Sequence, residues 1–142
     1  MKKQNNKVFT AACGIILVAV VLITFAGSCS KSNPNAVFIG TYYGTQTITG
    51  LSPSPDTMVM TAGSSSSAVI ILSRGGAGGS VTINATAAGN TLTVPTQTIT
   101  VTGGTSVISG TGALSGSTFV ANWTSAYNGA APFNVNYTGA KQ

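Results

Sequence analysis

From Val37 to the end of the chain, apolar residues mostly alternate with Thr, Ser or Asn, and no stretch keeps the spacing of an amphipathic helix. In an extended strand successive side chains point to opposite faces, so a period of two describes strands with one apolar and one polar face. Such strands are stable only when the apolar face is covered. This commits the body of the chain to an all-β fold that closes or folds over on itself.

Nine segments carry the pattern: Phe38 to Thr49, Thr57 to Thr61, Ala68 to Ser73, Ser80 to Thr86, Thr91 to Val94, Thr98 to Thr102, Ser106 to Leu114, Ser117 to Thr124 and Pro132 to Thr138. Turn formers separate them, most densely at Gly50 to Asp56, Gly63 to Ser67 and Gly75 to Gly79. Two-residue loops at Ala88–Gly89, Thr96–Gln97, Gly103–Gly104 and Ser115–Gly116 set Ala85 against Leu92, Val94 against Ile99, Ile99 against Ile108, and Ile108 against Trp123. These partners share one face, whereas a one-residue slip would turn the whole apolar set into water. The turns together predict a continuous antiparallel meander, in which Gly112 faces Phe119 and the aromatic ring lies over bare backbone.

The inward set runs from Phe38 and Tyr42 through Ile70 and Leu72 to Trp123 and Tyr137. At about 1.5 to 3 kcal/mol for each fully buried large side chain, it supports a modest core if the sheet closes. An antiparallel meander of eight or nine strands forming a small barrel is the first expectation, and a two-sheet β-sandwich is the alternative.

The start of the chain is built differently. Lys2, Lys3 and Lys7 open it, Val8 to Phe25 is apolar apart from Thr10, Gly14 and Thr24, and the small residues Ala26, Gly27 and Ser28 lead to Cys29. This order resembles the bacterial lipoprotein signal peptide and its lipobox, with Ala26 where leucine is most often found. The resemblance implies a hydrophobic signal helix over residues 1–28 that is cut away, a diacylglycerol thioether on Cys29 and an acylated new amino terminus. At about 0.8 kcal/mol per buried CH₂, one myristoyl-sized chain holds only reversibly, whereas two or three anchor stably. Residues 29–36 then form a tether and residues 37–142 the β domain. The same run also reads as an uncleaved transmembrane anchor, since about 18 apolar residues just span a bilayer. Cys13 leaves with the signal, so the domain has no disulfide.

Ser30, Lys31, Ser32 and Asn33 resemble the start of many Bacteroidota-type lipoproteins. With no acidic residue there, the analogy favours an outer-membrane protein facing the periplasm over one at the cell surface. The runs Gly40 to Thr45 and Gly110 to Gly116 resemble small Bacteroidota lipoproteins with lipocalin-like or calycin-like barrels. Gly40-Thr41-Tyr42 is loosely similar to the lipocalin Gly-x-Trp strand, although a closing helix is missing.

Charged residues make up 5% of the chain, against a usual share of about 25%. After Cys29 the cations are Lys31, Arg74 and Lys141, too scattered to follow a phosphate backbone, so no nucleic-acid partner is expected. Acid–base chemistry needs a titratable pair, yet the chain has no histidine and a single carboxylate, Asp56, set after a Ser-Pro-Ser-Pro turn. Neither enzyme activity nor a metal or other cofactor is expected. Ser28 to Lys31 matches a serine-x-x-lysine motif by position alone. The glycine-rich Arg74 to Gly79 lacks the Lys and Ser or Thr of a phosphate loop.

Among the aromatic residues, Tyr43, Tyr127 and Trp123 are the candidates for contact with a ligand. The expected role is a lipid-anchored structural or interaction module of the bacterial envelope, with a membrane and an envelope protein as partners. The alternatives are a lipocalin-like binder of a small hydrophobic ligand and an uncleaved, single-pass anchored β domain. An interior void on the order of several hundred Å³ marks the binder, and close packing throughout marks the structural module.

Overall fold

The computed structural model describes residues 33–75 and 79–142; the signal segment and Cys29 lie outside the described residues. Eight strands follow in chain order: β1 (Gly40–Ile48), β2 (Ser54–Ala62), β3 (Ala68–Arg74), β4 (Ser80–Ala88), β5 (Thr91–Val101), β6 (Gly104–Ser115), β7 (Thr118–Tyr127) and β8 (Phe133–Lys141). Each pairs antiparallel with its neighbour, and β8 returns to pair with β1, so the sheet is a closed barrel and not a sandwich. The period of two produces this directly. Along β8, Asn134, Asn136 and Thr138 face outward while Val135, Tyr137 and Gly139 are buried.

The segments expected as two strands at Thr91 to Val94 and Thr98 to Thr102 are one strand, β5, with a register irregularity between Val94 and Gln97. Pro95 lies there, and a bulge absorbs its missing N–H without ending the strand, so no hairpin forms at Thr96–Gln97. Backbone pairing of β4 with β5 reaches only as far as Thr86 and Thr93. Beyond it the Gln97 carboxamide bridges the gap, accepting from Asn84 N at 3.0 Å and donating to Asn84 O at 2.7 Å.

The other three hairpin loops each sit one residue from their expected places, at Gly89–Asn90, Thr102–Gly103 and Gly116–Ser117. Ala87 therefore faces Leu92, Ile99 faces Ser106, and Gly110 faces Trp123. Gly89 and Gly116, with φ of +57° and +58°, occupy the first loop position, where a type II′ turn requires positive φ. Moving a loop by one residue shifts the pairing by two, which preserves the inward parity.

On β3 the parity itself is reversed: Val69, Ile71 and Ser73 are buried, while Ile70 and Leu72 lie half-buried on the outside. This strand is apolar on both faces, so hydrophobicity does not choose between them. A polar contact inside the barrel does. Ser73 Oγ donates to Asp56 Oδ2 at 2.8 Å and Arg74 N donates to Oδ1 at 3.1 Å. Asp56, 3% exposed, lies near the start of β2 rather than in the preceding turn.

One end of the barrel is filled by aromatic rings. The Phe119 ring lies 5.6 Å from that of Tyr42 and 6.2 Å from those of Phe38 and Tyr137. Two hydroxyls tie the cluster to backbone: Tyr42 donates to Phe38 O at 2.9 Å and Tyr137 to Tyr42 O at 3.0 Å. Asn33 to Ala36, the end of the segment expected as a tether, folds onto this end. Asn35 is buried and donates through Nδ2 to Ala68 O at 3.0 Å, which anchors the turn that seats Phe38.

Closing eight strands also needs places where backbones approach closely. A Cβ at Gly44 would lie 2.5 Å from Gly139 Cα and against the Thr138 carbonyl, and one at Gly110 would lie 2.5 Å from Trp123 Cα. At Gly112 the obstacle is the Phe119 ring, 2.5 Å away, so the expected cover is present although the cross-strand partner is Ala121. Backbone yields less than a ring. Gly44→Val should therefore lose about 3 kcal/mol of unfolding free energy and Gly112→Ala about 1 kcal/mol, as measured by urea denaturation. Equal losses, or the reverse order, would contradict this account of closure.

Candidate ligand-binding cavity

At the end opposite the aromatic cluster side chains do not fill the interior. A cavity of about 500 Å³ lies between the last residues of β1, β3, β5 and β7 and the first residues of β4, β6 and β8. Ile83, Ile99, Ile108, Trp123, Phe133 and Val135 supply most of its apolar wall. Thr49, Leu51, Gly79, Thr102 and Tyr127 stand at its mouth. The void follows from side-chain volume: at this level the inward positions hold Ser73, Ser106 and Ser125, whereas the other end holds Phe, Tyr and Met at inward positions.

The polar groups of the wall differ in what they leave free. Ser106 and Ser125 share a hydrogen bond at 2.6 Å, which uses one hydroxyl proton and leaves the other. Ser73 gives its proton to Asp56 and keeps lone pairs only. Gln46, on the inward side of β1 in register with Tyr42, Gly44 and Ile48, is 8% exposed and makes no side-chain hydrogen bond among the described residues. The rim is held by Tyr127 OH, which donates to Gly103 O at 2.8 Å, and by Asn128, whose Oδ1 accepts from Thr105 N at 3.0 Å. Asn128, at φ +46°, and Gly129, at +75°, form the turn after β7.

Of the residues singled out in the sequence, the structure brings Trp123 and Tyr127 together at this cavity. Tyr43 stands on the outer face of β1, 58% exposed. Gln46 and the three serines escape a search for aromatic residues. A polar residue at an inward position is the signal that finds them, since Gln46 shares parity with Tyr42, Ser106 with Ile108, and Ser125 with Trp123.

Among the described residues no group of three His, Cys, Asp or Glu side chains converges. A second hollow lies outside β6 to β8, where Gly110 leaves a gap, and its walls are mainly hydroxyls and carboxamides from Ser109, Asn122, Thr124, Asn134 and Asn136.

The sequence matches no protein-family model, and no curated protein resembles it closely enough to count as a relative. Among solved structures the chain is similar to EF1p2_mFAP2b bound to DFHBI, with 20% identity and a TM-score of 0.64 over 80% of this chain and 100% of that one. It is also similar to the redesigned β-barrel mFAP1 bound to DFHBI, with 18% identity and a TM-score of 0.61 over 78% and 100%. A third similar structure is the redesigned β-barrel b11L5F_LGL, with 20% identity and a TM-score of 0.59 over 82% and 99%. At these identities the likeness establishes the small closed barrel as the fold.

Asp56 also acts on the aromatic end. Burial, and after it the nearby Asp56 carboxylate, pushes the Tyr137 phenol up to about 12, and burial raises that of Tyr42. Between the unfolded tyrosine value of about 10 and the folded value, the unfolded chain has lost a proton that the native barrel keeps, so stability falls as pH rises. It is complete below pH ~10. Unfolding free energy should drop by up to about 2 kcal/mol between pH ~10 and ~12, and by clearly less in Tyr137→Phe. Denaturant melts across that range check this, and identical slopes for the two proteins would contradict it.

Proposed function

We propose that the barrel binds a small, largely apolar molecule in the cavity at its open end, and that lipid on Cys29 holds it at a bacterial membrane outside the cytoplasm. The observation that carries the binding reading is the void itself. Its volume of about 500 Å³ falls within the range of about 300 to 1,000 Å³ common for ligand pockets, and its wall is mostly apolar with a few convergent polar groups. A structural module has no use for an unfilled interior, since a void forfeits dispersion contacts and lowers stability. The binder therefore takes precedence over the structural module, reversing the order of the sequence reading. Two barrels of similar fold are described as bound to DFHBI, which supports the view that a sheet of this size accommodates a small molecule.

The role is binding and not catalysis, because the cavity presents carboxamide and hydroxyl groups and the chain has no histidine. Anchorage rests on the order of residues before Cys29. The outer face of the barrel is rich in Thr and Asn, unlike the apolar band by which a barrel contacts lipid, so attachment through a tether fits it better than insertion. No helix among the described residues is long and apolar enough to cross a membrane.

Titration with N-phenylnaphthylamine, followed by quenching of the single tryptophan, Trp123, should give a dissociation constant on the order of 10 μM. Ile99→Phe, which narrows the cavity and keeps Trp123 the sole tryptophan, should weaken binding at least about tenfold. Lack of binding to the wild type, or equal binding to the narrowed variant, would remove the ligand from the account. Labelled fatty acid should enter the wild type and not Cys29→Ala, and an unlabelled wild type would remove the anchor.

A further inference from the structure

Among the described residues of the cavity wall, Gln46 is the one side chain that is more than nine-tenths buried and has no protein partner for its polar atoms. The carboxamide offers two N–H donors and one carbonyl acceptor that stay accessible from the cavity, so a ligand that displaces water from them loses those hydrogen bonds unless it replaces them. The neighbours of Gln46 restrict what that ligand is. The spare hydroxyl proton of the Ser106–Ser125 pair and the lone pairs of Ser73 add neutral donor and acceptor capacity. Among the described residues no Lys or Arg lines the cavity, and Asp56, buried behind Ser73, has its two oxygens occupied by Ser73 Oγ and Arg74 N. An anionic ligand would meet no compensating charge and would sit near a carboxylate. A cationic one would find that carboxylate screened by its own partners. Either would lose its hydration without replacement.

We propose that the ligand is an uncharged molecule with an apolar body and one carbonyl or hydroxyl group, and that Gln46 is the residue that reads this group. The inference rests on the binding function proposed above and adds the chemistry of the ligand. In this arrangement the apolar walls supply affinity and Gln46 supplies choice, because a site built to hydrogen-bond a polar group rejects an analogue lacking it. Free fatty acids in their ionised form are excluded, while neutral alcohols, ketones and amides of similar bulk are accepted.

The test uses three probes of one shape, acetylnaphthalene, ethylnaphthalene and naphthoate, titrated into the barrel with Trp123 quenching as readout, in wild type and in Gln46→Leu. The wild type should bind acetylnaphthalene about tenfold more tightly than ethylnaphthalene and naphthoate least tightly. Gln46→Leu, close in volume, should bind ethylnaphthalene several-fold more tightly, because no carboxamide is left unmatched, and should abolish the preference for the ketone. Thermal melting of the ligand-free variant supplies the fold control. Removing an unpartnered buried carboxamide should leave Tm unchanged or raised, and a lowered Tm would assign Gln46 a structural role and overturn the inference. If all three probes bind but naphthoate binds best, or the ketone preference survives in Gln46→Leu, the ligand chemistry is overturned while the binding cavity stands. If none of them binds, both fall together.

Discussion

Closure of the sheet is the constraint on which the rest depends. Once β8 pairs with β1, every strand has neighbours on both sides, and the barrel has no free edge through which to pair with another chain. An eight-stranded barrel then encloses a fixed volume, about as much as its inward side chains can fill. What each inward position carries decides whether the interior at that level is solid or hollow. Gly44 and Gly110 allow the close backbone approach at two seams, and Gln97 spans the place where the rungs between β4 and β5 stop.

The two ends use that volume in opposite ways. At one, the rings of Phe38, Tyr42, Phe119 and Tyr137 interlock and their hydroxyls find backbone acceptors, so the packing is dense and fully hydrogen-bonded. At the other, serines at inward positions leave space lined by Ile, Val, Phe and Trp. Stability is concentrated where the rings are, and the hollow end is free to carry a ligand site whose polar groups would weaken a filled core. Asp56 joins the two regions, fixing the inward face of β3 through Ser73 and raising the Tyr137 phenol.

The alternation of apolar with hydroxyl and amide residues made the all-β class, the meander and most of the inward face legible. The three hairpin loops that were displaced by one residue still preserved parity. Parity was lost only on β3, where Val69 to Leu72 is apolar on both faces and the choice rests on a contact between residues 17 apart in sequence, Asp56 and Ser73. The expected loop at Thr96–Gln97 is a bulge within β5, because an interruption of the alternation looks the same for a bulge and for a turn until the partner strand is known. Trp123 and Tyr127 were legible as aromatic residues, but the cavity was not, because a void is made by small side chains such as Ser106 and Ser125 that carry no local signal of their own. Gln46 becomes conspicuous only when β1 is placed with its inward face toward that void.

The most direct test is the position of a bound probe. Isotope-filtered nuclear Overhauser spectra of the barrel with N-phenylnaphthylamine should show contacts from the probe to Ile83, Ile108, Trp123 and Val135. None should appear to Phe119 or to the outward-facing Tyr43. Contacts confined to the outer face, or side chains of the open end found packed against one another with no room for the probe, would contradict the account.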